Sequence, residues 1–173
     1  AGEFKNNYDN QLDNLGLNLP LDDANGQRDR TAGLGFQLQQ LERPITISGT
    51  VYHDQNLNLQ QDGSEPGIEK VTLELWQDVN GQFVNTGITR STNQSGDYEF
   101  GTDLSLLPGT YQVVEQQPAD FFSVGAFPGT VEGATTGSVP QGELDRLTGI
   151  AVPNGGTNAV GFDFSEAQPG SLS

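Results

Sequence analysis

The sequence predicts an all-β fold, a Greek-key β-sandwich of about seven strands, and three observations carry that expectation. Hydrophobic residues are only 33% of the 173 positions, while 23 Gly and 9 Pro suit many turns between short strands. From Ile45 onward, apolar and polar residues alternate with a period of two in short runs bounded by turn signals. No amphipathic helical stretch of ordinary length interrupts them.

Taken in order, residues 45–52 read as the opening strand, with Ile45, Ile47, Gly49 and Val51 on one face. Residues 70–77 form the next, pointing Val71, Leu73 and Leu75 inward and leaving Thr72, Glu74 and Trp76 outward. Asp78-Val79-Asn80-Gly81 is a hairpin signal into a strand at 83–89, because Asn-Gly readily supplies the positive φ angles of a tight turn. Asn93-Gln94-Ser95-Gly96 is a second such turn before a strand at 98–100. Pro108-Gly109 launches a strand at 110–116 in which Tyr111, Val113 and Glu115 share a face, and strands at 147–152 and 160–164 close the set. An inward Glu115 needs a hydrogen-bonding partner or a raised pKa, and a structural role is expected for it.

The balance of charge narrows the function. Asp plus Glu number 23 against 7 Lys plus Arg, a formal charge of -16. That field repels nucleic-acid phosphates and anionic headgroups and attracts divalent cations, so no nucleic-acid partner is expected. No apolar run approaches the roughly 20 residues of a membrane span, so direct membrane insertion is not expected either. With no Cys, disulfides, thiolate zinc sites and cysteine nucleophiles are excluded. His53 is the only histidine and reads as a strand-end residue, which removes catalytic or zinc arrangements that need two. No nucleophile motif or marked carboxylate pair points to an enzyme.

The sharpest motif runs from Asp54 to Glu65, DQNLNLQQDGSE. Oxygen-bearing residues fall at loop positions 1, 3, 5, 9 and 12, the spacing of an EF-hand calcium loop. Calcium takes six to eight oxygens, and a loop curling round it offers them at alternate positions. Asp54, Asn56 and Asn58 would coordinate through side chains, Gln60 through its backbone carbonyl, Asp62 directly or through water, and Glu65 through both carboxylate oxygens. The sixth position, ordinarily Gly, is Leu59, where a left-handed backbone costs on the order of 1 to 2 kcal/mol. Three charged ligands imply a weak site, with dissociation constants of roughly 0.1 to 1 mM or somewhat tighter. Magnesium, which prefers a smaller octahedral shell rich in water, fits less well.

Residues 35–40 (GFQLQQ) parallel residues 161–166 (GFDFSE), and 17–20 (LNLP) parallel 150–153 (IAVP). The expectation is therefore a boundary after residue 44: 1–44 as the tail strands of a preceding repeat and 45–173 as one whole module. The opening Ala1-Gly2-Glu3-Phe4 reads as a cloning remnant ahead of an excised piece of a longer chain.

Residues 47–54 (ISGTVYHD), the loop, Glu65-Pro66-Gly67-Ile68, then 96–100 (GDYEF), 107–118 (LPGTYQVVEQQP) and 161–164 (GFDF) resemble the SdrD B-like repeats of bacterial surface proteins, in the same order. The resemblance implies a Cna-B-like, prealbumin-like sandwich, rigidified by calcium, secreted or attached at the cell surface and strung in tandem with neighbouring modules of the same chain. It implies a spacer or adhesive role, in which the parent protein meets a host or matrix protein or a glycan. Related modules carry a Lys-Asn isopeptide crosslink; here only Lys5 and Lys70 are present and the opening strand has no lysine, so none is expected and calcium is the main staple. Further calcium ions at residues such as Asp97 or Asp103 are compatible with the family.

The alternative function is a carbohydrate-binding module in which Trp76, or Phe121 and Phe122, stack on sugar rings. Packing against a neighbouring module or a covering loop is the plainer reading of those aromatics and of Phe127. Asp22, Asp23, Asn25 and Asp29 form a second acidic cluster that matches no loop template and reads as a solvated turn.

Overall fold

A computed structural model describes residues 43–170. The expected repeat tail and the cluster at Asp22–Asp29 lie outside the described residues.

The alternation read in the sequence becomes a succession of strands: β1 (Thr46–His53), β2 (Thr72–Val79), β3 (Gln82–Ser91), β4 (Asp97–Phe100), β5 (Gly109–Glu115), β6 (Phe122–Phe127), β7 (Thr130–Val131), β8 (Ala134–Thr135), β9 (Arg146–Val152), β10 (Asn158–Val160) and β11 (Asp163–Ala167). One 3-10 turn, Thr102–Leu104, is the sole helical element among the described residues. The strands form two sheets. One follows the order β3-β2-β5-β9, and the other β6-β11-β1-β10-β7-β8, with β4 also pairing with β1.

The local signals act as expected. Val79 pairs with Gln82 across Asn80 and Gly81, whose φ angles of 56° and 84° are both positive, and the Gly81 N–H donates to Asp78 Oδ1 at 2.6 Å. At the second turn the Gly96 N–H donates to the Asn93 carbonyl at 3.0 Å, while Asn93 Oδ1 accepts from the N–H groups of Ser95 and Asp97. Ile45, Ile47 and Val51, at and just before β1, meet Val71, Leu73 and Leu75 at and just before β2, Tyr111 and Val113 on β5, and Leu147 and Ile150 on β9 in a single apolar core. Glu115 is buried at the end of the same inward row as Tyr111 and Val113, as its spacing predicted.

Two expectations change. The strand expected at 160–164 is divided between β10 and β11, because Gly161 takes a φ of 78° and turns the chain there. The opening strand uses both pieces: its first residues pair in parallel with β10 and its last with β11. The segment after Pro118, where no strand was expected, contains β6, which pairs antiparallel with β11. Among the described residues the sandwich therefore holds eleven strands where about seven were expected, several of the additional ones being only two or three residues long.

Candidate functional site

The twelve-residue loop leaves the sandwich at the end of β1 and is closed at its base by backbone bonds. His53 N–H donates to the Pro66 carbonyl at 2.9 Å, and Asp54 N–H donates to the Glu166 carbonyl on β11 at 2.9 Å. The two ends meet a second time through Glu65, whose Oε1 accepts from the Gln55 N–H at 2.8 Å and whose Oε2 accepts from the Asp62 N–H at 3.0 Å.

Five of the six residues singled out in the sequence turn their side-chain oxygens into this loop. Asp54, fully buried, accepts the Asn58 N–H on Oδ1 at 3.2 Å and the Leu59 N–H on Oδ2 at 2.8 Å. Asn56 Oδ1 accepts from Asn58 N–H and Asn58 Oδ1 from Gln60 N–H, two successive Asx turns that set the curl. The side-chain amides of Asn56 and Asn58 both reach Asp62 Oδ2, at 2.7 and 2.9 Å, so positions 3, 5 and 9 face one another across the loop. Gln60 is exposed and enters this network through its backbone N–H. As ligand atoms the converging side chains can offer only oxygen, from three carboxylates and two amides, the chemistry that suits a hard cation of calcium's size.

Leu59 adopts the left-handed conformation that glycine ordinarily supplies at the sixth position, with φ of 63°, and Leu57 does the same at 59°. Leu59 is 47% exposed, so its side chain adds little packing to offset the strain. Leu59→Gly is therefore expected to stabilise the folded module by about 1 kcal/mol, net of the chain entropy glycine adds to the unfolded state, and to tighten cation binding. Urea unfolding of the two proteins in chelator, followed by a calcium titration, measures both effects; a less stable, weaker-binding Leu59→Gly protein would contradict the strain.

Beneath the loop lies the Tyr52 phenol. Burial pushes its pKa up to about 12, against the opposing hydrogen bond with Ser165 and with help from the Asp54, Asp163 and Glu65 carboxylates, so it stays neutral.

A separate group of acids sits between the sheets. Glu115 ends β5, Asp145 immediately precedes β9, and Glu166 lies on β11 in the opposite sheet. One ligand atom from each lies within 4.8 Å of the others, so this trio could hold a metal. Glu166 also accepts a hydrogen bond from Gln117 Nε2, and Ser123 Oγ bridges Gln117 Oε1 and Asp145 Oδ1. Sequence reading found only Glu115. Glu166 stands two residues after the buried Phe164, a period-two signal of an inward side chain, whereas nothing around Asp145 marks it out.

Burial, reinforced by the nearby Glu166 and Asp145 carboxylates, pushes the Glu115 pKa from 4.5 to about 9. Burial likewise lifts Glu166 to about 7, opposed by its hydrogen bonds. Below pH 4.5 both carboxyls are neutral folded or unfolded and their stabilising effect is complete. As pH rises, the unfolded chain ionises first and stability is lost until the folded pKa values are passed. In chelator, unfolding free energy is expected to fall between about pH 5 and 9, by at most about 1.4 kcal/mol per pH unit for each group, and Glu115→Gln should flatten that slope. Denaturant midpoints across this range are the measurement, and stability rising with pH would refute the assignment.

The aromatic candidates do not share a sheet. Trp76, on β2, is half-buried and its Nε1–H donates to Glu74 Oε2 at 3.2 Å. Phe122 begins β6 on the other sheet, and Phe121 packs edge-on against His53, ring centroids 5.3 Å apart. His53 is the last residue of β1, the strand-end place its sequence suggested.

The described residues form a two-sheet sandwich with an oxygen-lined loop leaving the end of β1, and no helix among them is long and apolar enough to cross a membrane. The chain belongs to the SdrD B-like domain family, which matches residues 45–138. Its fold also resembles the shaft pilin SpaA from Lactobacillus rhamnosus GG, at 14% identity and a TM-score of 0.39 over 72% of this chain and 50% of that one. A double mutant of the same pilin matches at 15% identity and a TM-score of 0.39, over 71% of this chain and 49% of that one. The chain thus spans about half the length of the solved structures it matches. No curated protein sequence matches it. Family membership places the chain among the structural modules of surface proteins.

Proposed function

We infer that this is a non-enzymatic spacer module of a secreted or cell-surface protein, in which calcium bound by the loop at Asp54–Glu65 stiffens the sandwich within a tandem array. The observation that carries the reading is the convergence of Asp54, Asn56, Asn58, Asp62 and Glu65 in a loop whose ends are tied to the sheet through Pro66 and Glu166. Asp54, Asn56, Asn58, Asp62 and Glu65 would supply side-chain oxygens, and Gln60 its carbonyl. The ion would supply the positive charge that the loop's three carboxylates lack. Without it those carboxylates are held by backbone and side-chain amides alone.

Holding this loop rigid matters for a spacer because it joins β1 of one sheet to β2 of the other. A fixed connection restricts how the sheets shear, and the module transmits orientation to its neighbours along the chain. Comparing melting in calcium and in chelator, with Asp54→Ala beside the wild type, tests the reading; its expected size is taken up in the Discussion.

A further inference from the structure

We propose that Glu115, Asp145 and Glu166 form a second cation site, separate from the loop, which takes a hard divalent cation of calcium's size and ties the two sheets together.

The geometry is that of a three-point ligand set. Calcium–oxygen distances of about 2.3 to 2.6 Å require ligands around one ion to lie within roughly 5 Å of each other. The three carboxylates meet that condition, all within 4.8 Å. The backbone holds them there. The Glu115 N–H donates to the Asp145 carbonyl at 2.8 Å, which fixes the end of β5 against the entry to β9, and Glu166 approaches from β11 of the facing sheet.

An independent observation points to a missing partner for these oxygens. Glu115 is 3% exposed, and both of its carboxylate oxygens are buried with no hydrogen-bond partner; Glu166 is 0% exposed, and its Oε1 is in the same condition. Buried polar atoms are rarely left this way, because their lost hydration goes uncompensated. No side-chain cation fills the role. Among the described residues, the ion pairs join Lys70 to Glu69, Arg90 to Asp103 and Arg146 to Glu143. Gln117 and Ser123 hold the outer oxygens of Glu166 and Asp145, the outer-shell arrangement that orients ligating carboxylates.

The donor set decides the cation class. It contains carboxylates and no imidazole or thiolate, which disfavours zinc and copper and favours a hard ion. A dry trio of carboxylates suits calcium better than magnesium, which keeps several waters. The titratable side chains on the strands that pair with β5 and β11 are Glu74 and Asp78 on β2, Arg146 on β9, and Tyr52 and His53 on β1, with Tyr111 on β5 and Asp163 on β11 themselves. Carboxylates ligate a cation only in their deprotonated form, so affinity should rise with pH.

The site stands independently of the loop, and one experiment separates them: isothermal titration calorimetry of the full chain with calcium chloride at pH 8. The Glu115→Gln/Glu166→Gln double variant is expected to bind one calcium ion fewer than wild type, and Asp54→Ala to lose a different one. Repeating the wild-type titration at pH 5.5 should weaken the ion assigned to the trio by at least about tenfold. Wild-type stoichiometry in the folded double variant overturns the proposal, whatever becomes of the loop site. Should circular dichroism show that variant unfolded, Asp145→Asn, at a half-buried position, replaces it. That change is expected to weaken the same ion at least about tenfold, and unchanged binding would overturn the proposal equally.

Discussion

Calcium at a hundredfold excess over its dissociation constant is expected to raise the melting temperature of this module by about 10 °C relative to chelator. An ion bound only by the folded state stabilises by about 2.7 kcal/mol at that excess. A domain of this size gains roughly 4 °C per kcal/mol. Asp54→Ala should remove the loop's share of the shift, because Asp54 is the buried first residue of the loop and both of its oxygens organise the curl through Asn58 and Leu59. The variant should also melt lower in chelator, since the Leu59 N–H loses its acceptor, at about 1 kcal/mol, while the Asn58 N–H keeps Asn56 Oδ1. Differential scanning calorimetry in chelator and in calcium raised to a hundredfold over the dissociation constant, about 10 mM for a site of roughly 0.1 mM, reads both effects. Identical melting in the two conditions would remove the basis for a calcium-stiffened spacer. A full shift retained by Asp54→Ala would move the ion elsewhere.

Gly49→Ala is expected to cost several kcal/mol, on the order of 3 or more, and to be the most damaging single methyl that can be added to β1. A Cβ at position 49 would lie 2.0 Å from the Phe162 carbonyl oxygen and 2.5 Å from its carbon. Both are backbone atoms with no side-chain freedom to yield. Phe162 is held in place by its own N–H, which donates to the Ser48 carbonyl at 3.1 Å, and by the Tyr98 hydroxyl, which donates to its carbonyl at 2.6 Å. The extra methyl therefore prises apart the point where β1 passes from β10 to β11. Gly63→Ala is the matched control: a Cβ there meets nothing within 4 Å, and the change should stay within about 0.5 kcal/mol. Urea unfolding of the three proteins decides the matter, and equal midpoints for Gly49→Ala and wild type would contradict the close approach.

Much of this architecture was legible before any coordinates. Leu73 and Leu75 on β2, and Tyr111, Val113 and Glu115 on β5, face inward as period two requires, and the Asn80-Gly81 turn sits where its dipeptide places it. The loop was legible for the same reason: the spacing of Asp54, Asn56, Asn58, Asp62 and Glu65 is a local property, and local Asx turns produce the curl. Strand β6 was not, because Gly125 and Ala126 present little apolar bulk and its pairing partner, β11, is remote in sequence. The division at Gly161 was hidden likewise, since it answers to the parallel pairing of β1 with both neighbours.

By itself the sequence determined the sandwich class, the inward rows and the oxygen-rich loop, all of which depend on residues within a dozen positions of one another. Only the tertiary structure decided that Glu115, Asp145 and Glu166 meet, and that Gly49 must lack a side chain to clear Phe162. Those juxtapositions bring together strands far apart along the chain, and sheet pairing across that distance is set by the packing of the whole core, which no local periodicity encodes.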